Sequence, residues 1–467
     1  MRTAIDTADA IRRGEEKASE VLEECLAVIA GKNPLLNAFI MFRTDAARAE
    51  AAEIDRRVAA GDDPGPLAGV PFGVKDIENL AGLPTTQGSL LLKDEPPATA
   101  DSRHVARLRA AGAVAVGKTN ICEFGMDSST YNALWGVTRN PWNPELTPGG
   151  SSGGSSAAVA AGMVPFATAT DGSGSTRCPA AYTGLVGLKP SHGRIPKANG
   201  FSNFSVHGAL TTTVADTARY LDVVAGPDDG DRQSLPPPCR VYERAIEEFD
   251  VAGLRAAWSD DLGYAVVEPE VLEISRRAAE KLMAAARLDV VDTDFRPVNT
   301  VIHTAVIQLF DFRESMKRSG ALPARFADLS PQIRYWLQQM EERGIGAGDV
   351  AASWLVLQRL EREMAAFFRT ADLLLTPAVA CSPYQADGMM PEVIDGRDAK
   401  ESMTEPFGLL ANICWNPSIS IPAGLTRAGL PVGLQLIARR HHDHVALRLA
   451  RIFEQVQPWS FPWDSRA

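Results

Sequence analysis

Two glycine- and serine-rich stretches and one lysine are the residues of this 467-residue chain best suited to do chemistry. The first stretch is Pro148-Gly-Gly-Ser151-Ser152-Gly-Gly-Ser155-Ser156-Ala-Ala-Val-Ala-Ala-Gly162. Its glycines open backbone angles closed to other residues, and the alanines after them suit a helix packed closely on a sheet. A linker or a plain helix cap would use similar residues, but a linker does not run into so tight a helix, and a functional loop is the better reading. The second stretch is Thr168-Ala-Thr-Asp171-Gly172-Ser173-Gly174-Ser175-Thr176-Arg177-Cys178-Pro179, a turn flanked by an acid and a base. Several backbone N–H groups can converge there on one point, as an oxyanion requires. A serine in that turn can attack a carbonyl if some base takes its proton.

Two side chains qualify as that base. One is His192, beside Lys189-Pro-Ser; the other is Lys75 in Gly69-Val-Pro-Phe-Gly-Val-Lys75-Asp76-Ile77. A lysine closing an apolar strand loses hydration, which lowers its pKa and supplies a neutral amine. An ion pair between Lys75 and Asp76 explains the same residues equally well, so the residues alone leave the base open. His441-His-Asp-His444 reads as a solvated helix start or, less readily, an adventitious metal site. Residues 112–119, Gly-Ala-Val-Ala-Val-Gly-Lys-Thr, fit the phosphate-loop pattern. The Ala-Val-Ala-Val between the glycines prefers to be strand, so a buried strand ending at Gly117 is favoured over a nucleotide site.

Short apolar runs alternating with helical segments must position these residues. Leu22, Cys25, Leu26 and Ile29 mark one face of a helix ending near Gly31, and 46–60 forms a second helix closed by Gly61. Strands are expected at 70–74, 113–116 and 185–188, with helices at 102–111 and 155–161. Beyond the proline-rich break at 235–238 follow a strand at 254–258, a helix over 269–286 and a strand at 290–291. A long helix over 350–368 comes next, then strands at 373–375 and 418–421 and a last helix over 445–453. This alternation predicts an α/β sheet covered by helices.

Composition narrows the partners. Apolar residues make up 45% and charged residues 22%, which excludes a disordered chain. A formal charge of −11 lacks the basic footprint of a duplex-binding protein. No stretch has the length of a membrane span or the pattern of a signal peptide. Six scattered cysteines without a CxxC pair indicate neither zinc nor a disulfide framework, so a reducing cytoplasm is the default location.

Taken together the segments resemble the amidase signature family. The resemblance rests on the Gly-Gly-Ser-Ser-Gly-Gly-Ser run, the Asp171 to Ala180 run, Gly-Val-Pro-Phe-Gly-Val-Lys75-Asp and Gly184-Leu-Val-Gly-Leu-Lys-Pro190. Lys75 precedes Ser151 by 76 residues and Ser151 precedes Ser175 by 24, close to the family's separations. Weaker matches at 33–39, 117–120, 140–142, 372–377 and 429–436 extend it over most of the chain. It implies a Ser–cisSer–Lys triad, with Ser175 the nucleophile, Ser151 the proton relay after a cis peptide from Gly150, and Lys75 the base. It also implies an oxyanion hole from the N–H groups of Gly172, Ser173, Gly174 and Ser175, and a cleft lined by Gly125, Met126 and Asp127. Ser152 and Ser155 are expected to support the relay, and Asp171 and Arg177 to brace the turn. The family commonly has Asp-Thr-Gly-Gly-Ser before the nucleophile. Here Asp171-Gly172-Ser173-Gly174-Ser175 stands instead, and Ser175 is chosen over Ser173 because it keeps the 24-residue separation.

The implied fold is a single α/β/α sandwich around a large mixed twisted sheet with a mainly helical substrate-cap insertion. One domain over 1–467 would comprise N-terminal helices (1–60), the signature core (61–226), a variable cap (227–400) and a C-terminal return (401–467). The implied reaction is hydrolysis of an amide, aryl amide, carbamate or related ester through an acyl-enzyme. No cofactor, metal, nucleic acid or membrane is called for, and a monomer or homodimer would suffice. Phe310, Phe312, Trp336, Trp354 and Trp415 offer apolar walls for a medium-sized acyl, anilide or carbamate compound. The alternatives are the glutaminase component of a tRNA-dependent amidotransferase and, from another class, a nucleotide binder using 112–119.

Overall fold

Strands from both ends of the chain build one sheet. The computed structural model describes residues 2–197 and 202–461. In chain order the strands are β1 (Phe39–Phe42), β2 (Pro71–Lys75), β3 (Val114–Thr119), β4 (Tyr131–Asn132), β5 (Gly136–Val137), β6 (Phe166–Asp171), β7 (Val186–Lys189) and β8 (Val206–Thr211). Then come β9 (Arg255–Trp258), β10 (Asp289–Val290), β11 (Leu373–Pro377), β12 (Val393–Ile394), β13 (Arg397–Asp398), β14 (Ser418–Leu425) and β15 (Pro431–Ala438). Eleven of them form a mixed sheet in the order β1-β3-β2-β6-β8-β7-β14-β15-β11-β9-β10; β4–β5 and β12–β13 are separate small ladders.

Strands β2, β3, β6, β7, β11 and β15 are buried at every residue. Such strands need cover on both faces, and helices supply it, giving the α/β class with a helix-flanked central sheet. On one face the core joins Phe72, Phe166 and Val186 to Leu434, Leu449 and Phe453 from the end of the chain. On the other, the helix Gly153–Ala160 packs with Ile11, Leu22, Phe39 and Val116. None of the described helices is long and apolar enough to cross a membrane.

Several expectations are corrected. The helix expected to end near Gly31 runs over Ala18–Leu36 and includes Pro34. Leu22, Cys25, Ile29 and Leu36 keep its buried face continuous, while Gly31 has open space around it. A solvent-facing glycine costs a helix only about 1 kcal/mol, which that packing offsets. The helix stops where Asn37 turns left-handed and the Asn33 side chain accepts the Ala38 and Phe39 N–H groups. Within the segment 227–400 the three expected strands form as β9, β10 and β11, the second at Asp289–Val290 rather than 290–291.

The buried strand favoured over a phosphate loop at 112–119 forms, and it runs past Gly117: Gly117, Lys118 and Thr119 are themselves strand residues paired to β1 and β2, which excludes the loop. A Cβ on Gly117 would lie 2.1 Å from the Met41 carbonyl oxygen, and Lys118 pairs with Asp76 at 3.1 Å. The His441–His444 segment is not wholly solvated. Asp443 is buried and accepts hydrogen bonds from Ser191 N and Oγ, each at 2.7 Å.

Candidate active site

Parallel pairing of β2 with β6 and of β2 with β3 sets their C-terminal ends side by side. Lys75 closes β2 and is fully buried. Its Nζ lies 2.7 Å from Ser151 Oγ, 2.7 Å from Ser152 Oγ and 2.8 Å from Thr170 Oγ1. Burial pushes the amine down to about 7, against the opposing pull of Cys122, Asp171 and Glu78. A neutral amine donates two hydrogens and accepts one, so one of the three hydroxyls must donate to it. Ser152 directs its own hydrogen to the Thr170 carbonyl at 3.3 Å, which leaves one of Ser151 and Thr170 as the donor to the amine. The ion pair of Lys75 with Asp76 does not form; Asp76 holds Lys118 and accepts the Thr86 N–H at 3.2 Å.

Ser151 sits in a loop whose glycines let other backbone approach it. The Gly150–Ser151 peptide bond is cis. A Cβ on Gly150 would lie 2.7 Å from the Asp127 carbonyl oxygen, and one on Gly125 would lie 3.3 Å from Ser151 Oγ. Gly125 and Asp127 are therefore brought against the serine through their backbones. The Asp127 carboxylate turns aside, accepting the Ser129 N–H at 3.2 Å. Ser155 does not reach the relay: its hydroxyl lies 2.7 Å from Thr119 Oγ1 and donates to the Thr168 carbonyl at 2.8 Å.

Ser175 lies in the turn between β6 and the helix Arg177–Thr183, and retains 7% exposure. Its carbonyl accepts the Ser152 N–H at 3.3 Å, tying the two serine loops together. Asp171 organises the turn. Its carboxylate accepts from Gly174 N at 2.9 Å, Thr176 N at 3.2 Å, Arg177 Nε at 2.9 Å and Arg177 Nη2 at 2.7 Å. Burial would raise the Asp171 pKa, but the charge and hydrogen bonds of Arg177 hold it at about 2. Arg177 continues the brace to Gln435 Oε1 and Asn412 Oδ1, each at 2.6 Å. The expectation for Gly174 is corrected, since its N–H is taken by Asp171. Among the described residues the N–H groups of Gly172, Ser173 and Ser175 have no acceptor in the protein.

His192, the other base that the residues allowed, is occupied elsewhere. It stacks on Trp415 at 4.2 Å, faces Gln233 at 3.0 Å and is pushed down to about 4 by burial. Trp415 thereby leaves the set of apolar walls, and Trp354 packs on Phe204 at 5.5 Å. Phe310, Phe312 and Trp336 do gather in one cluster with Phe124 and Met126, immediately beside Gly125.

Two site residues escaped the sequence. Thr170 was legible in principle: Thr168 and Thr170 share one face of β6, and both bond Lys75, Thr168 Oγ1 accepting the Lys75 backbone N–H at 2.9 Å. Glu405 carries no sequence signal. It is buried, which pushes its carboxyl up to about 7, and Ser128 donates to its Oε1. Its Oε2 has no partner and lies 3.4 Å from where a Gly174 Cβ would stand.

Comparison with known proteins identifies related chains. The family model described as Amidase matches residues 20–447. An acylamidase from Rhodococcus erythropolis is 36% identical, covering 98% of this chain and 96% of its own. The A component of a glutamyl-tRNA(Gln) amidotransferase from Synechococcus sp. (strain RCC307) is 35% identical over 96% of each chain. Among solved structures, a bacterial aryl acylamidase of the amidase signature enzymes superposes with a TM-score of 0.91 at 29% identity, covering 98% of this chain and 96% of that one.

Proposed function

Since the chain belongs to the amidase signature family and hydrolyses amide C–N bonds, we propose that Ser175 is its nucleophile, Ser151 the proton relay and Lys75 the base. The observation that carries this reading is the Lys75 amine, 2.7 Å from Ser151 Oγ and brought down to about 7 by burial. Ser175 Oγ attacks the carbonyl carbon while its proton passes to Ser151 and the Ser151 proton passes to the neutral amine. The oxyanion forms against the N–H groups of Gly172, Ser173 and Ser175, each such donor being worth about 3 kcal/mol of barrier. The proton returns along the same path to the leaving amine as the C–N bond breaks. Water then attacks the acyl-enzyme by the same relay and releases the acid.

The substrate class we infer is an amide, anilide or carbamate with a medium-sized apolar or aromatic group. The apolar cluster of Phe124, Met126, Phe310, Phe312 and Trp336 beside Gly125 supports it, as do relatives named acylamidase and aryl acylamidase. The test is single replacement of Ser175 and Lys75 by alanine, assayed on p-nitroanilides, short aliphatic amides and carbamates. Each variant is expected to lose at least about 10³-fold in kcat with its fold intact. Near-normal turnover in Ser175→Ala would overturn the assignment, and preference for a small charged amide would overturn the substrate class.

A second reading, the glutaminase component of a tRNA-dependent amidotransferase, draws on amidotransferase relatives at 34–35% identity. Amide hydrolysis by the chain purified alone separates the two.

A further inference from the structure

Beside the serine loops, outside the proposed chemistry, lies a buried cluster drawn from four elements. Glu78 stands on the turn after β2, His104 in the helix Arg103–Ala110, His207 on β8 and Tyr220 in the helix Val214–Val224. Glu78, His104 and His207 bring one donor atom each within 4.8 Å of one another. The first two are essentially inaccessible and the His207 side chain is 15% exposed, its ring 4.7 Å from that of His104. The turn holding Glu78 is pinned at both ends of its peptide: Glu78 N donates to the Lys75 carbonyl at 3.0 Å, and Lys118 Nζ donates to the Glu78 carbonyl.

A count of hydrogens shows what this cluster lacks. The Tyr220 hydroxyl gives its single hydrogen to the Gly208 carbonyl at 2.9 Å, so it presents a lone pair to His104 Nε2. Nε2 therefore carries a hydrogen, and a neutral His104 has a bare lone pair on Nδ1. That lone pair faces Glu78 Oε2 at 2.6 Å, a pairing closed by a proton on the ring or the carboxyl, or by a metal. His207 Nδ1 approaches the same carboxylate at 3.6 Å, and both it and Glu78 Oε1 are buried without a hydrogen-bond partner. A proton would satisfy His104 and leave those two atoms unpaired. A metal would engage all three residues.

We propose that Glu78, His104 and His207 bind one divalent transition-metal ion of the zinc class. Two imidazoles and a carboxylate are a donor set such ions take, with water in the fourth position. Bonds of about 2.0–2.2 Å in a tetrahedron set ligand atoms roughly 3.4 Å apart, between the 2.6 and 3.6 Å spacings to the Glu78 carboxylate and below the 4.8 Å limit that holds all three atoms. Tyr220 is the orienting partner, accepting from the far nitrogen of His104 and fixing Nδ1 as the coordinating atom. Entry of the ion displaces the proton shared by His104 and Glu78, one proton released per ion bound.

The experiment strips the full-length protein with a chelator and titrates it with Zn²⁺ alone, then Co²⁺ alone. One ion per chain is expected, with visible Co²⁺ bands and a raised melting temperature. Glu78→Gln and His207→Ala should each weaken Zn²⁺ binding by more than about 100-fold, beyond the 10–100-fold that losing an orienting partner such as Tyr220 costs. His207→Ala is the variant best placed to fold, since His207 is the most exposed of the three. His444→Ala should bind as the unsubstituted chain does. No stoichiometric uptake of either ion would overturn the proposal in favour of a proton-closed network. Full uptake by His207→Ala, or its loss in His444→Ala, would overturn it too. None of these readouts depends on the Ser175 chemistry.

Discussion

At the scale of single residues, two groups in the site titrate near neutrality for the same physical cause and with opposite effects. Burial brings Lys75 down to about 7 and lifts Glu405 to about 7. Lys75 serves as a base only when neutral, so kcat/KM should rise as pH passes upward through about 7. Glu405 becomes negative over the same range, and its unpartnered Oε2 lies beside Gly174 in the turn proposed to hold the oxyanion. Like charges disfavour each other, so ionisation of Glu405 should draw activity down on the alkaline side. The pH profile of kcat/KM is therefore a bell with its maximum near 7, rather than the rise toward alkaline pH that a lysine relay alone predicts. In Glu405→Gln the falling limb should vanish and leave a plateau; a falling limb that persists there removes Glu405 from the account. The proposed triad positions stand out in the sequence because their neighbours are so constrained: glycines where backbones touch, and a lysine ending an apolar strand. Glu405 was not, because Thr-Glu-Pro-Phe has no pattern of its own and gains its place only when the chain returns to the sheet.

At the scale of elements, the loop carrying Ser175 is held from outside by the segment leading into the helix Leu409–Ile413. Gly408 is the point of closest approach. It is in ordinary right-handed helical geometry, φ −68° and ψ −48°, so alanine would suffer no backbone strain there. The added Cβ would, however, lie 1.8 Å from the Ser173 carbonyl oxygen and 3.2 Å from Gly174 Cα. Relief of that overlap must displace the turn between Asp171 and Ser175, at an overpacking cost of about 1–3 kcal/mol. Gly408→Ala should keep its far-UV circular dichroism and lower kcat about 10–100-fold with little change in KM, since about 1.4 kcal/mol is tenfold in rate. Unchanged kcat would mean that the turn yields freely and is not braced by this contact. Element type followed from the sequence more surely than element ends. The helix Ala18–Leu36 passes Gly31 because tertiary packing outweighs one glycine, and β3 swallows a phosphate-loop pattern because its flanking strands need the partner. In both cases the deciding contacts join residues distant in the chain.

At the scale of the whole molecule, the order of the strands makes the two halves of the chain depend on each other. The chain lays down β1 to β8, moves away to build β9, β10 and β11, and then returns to insert β14 and β15 between β7 and β11. Ser418, Ile419 and Ser420 pair with Lys189, Leu188 and Gly187, more than two hundred residues earlier. No local pattern announces such a pairing, which is why the sheet's existence was legible and its order was not. The brace on the candidate nucleophile turn spans the same distance, from Arg177 to Asn412 and Gln435. We propose accordingly that the chain is one folding unit despite its proline-rich break. A fragment comprising residues 1–226 would expose the β7 edge, lose the C-terminal share of the main core and leave the buried Asp171–Arg177 pair without its outer partners. An open edge of buried strand residues is a template for aggregation, and a buried ion pair stripped of its other hydrogen bonds is a net cost. Expressed alone, that fragment should show no cooperative thermal transition and little near-ultraviolet circular dichroism. Both should recover when it is refolded together with residues 227–467. A sharp melt by the isolated fragment would instead make the break a true domain boundary.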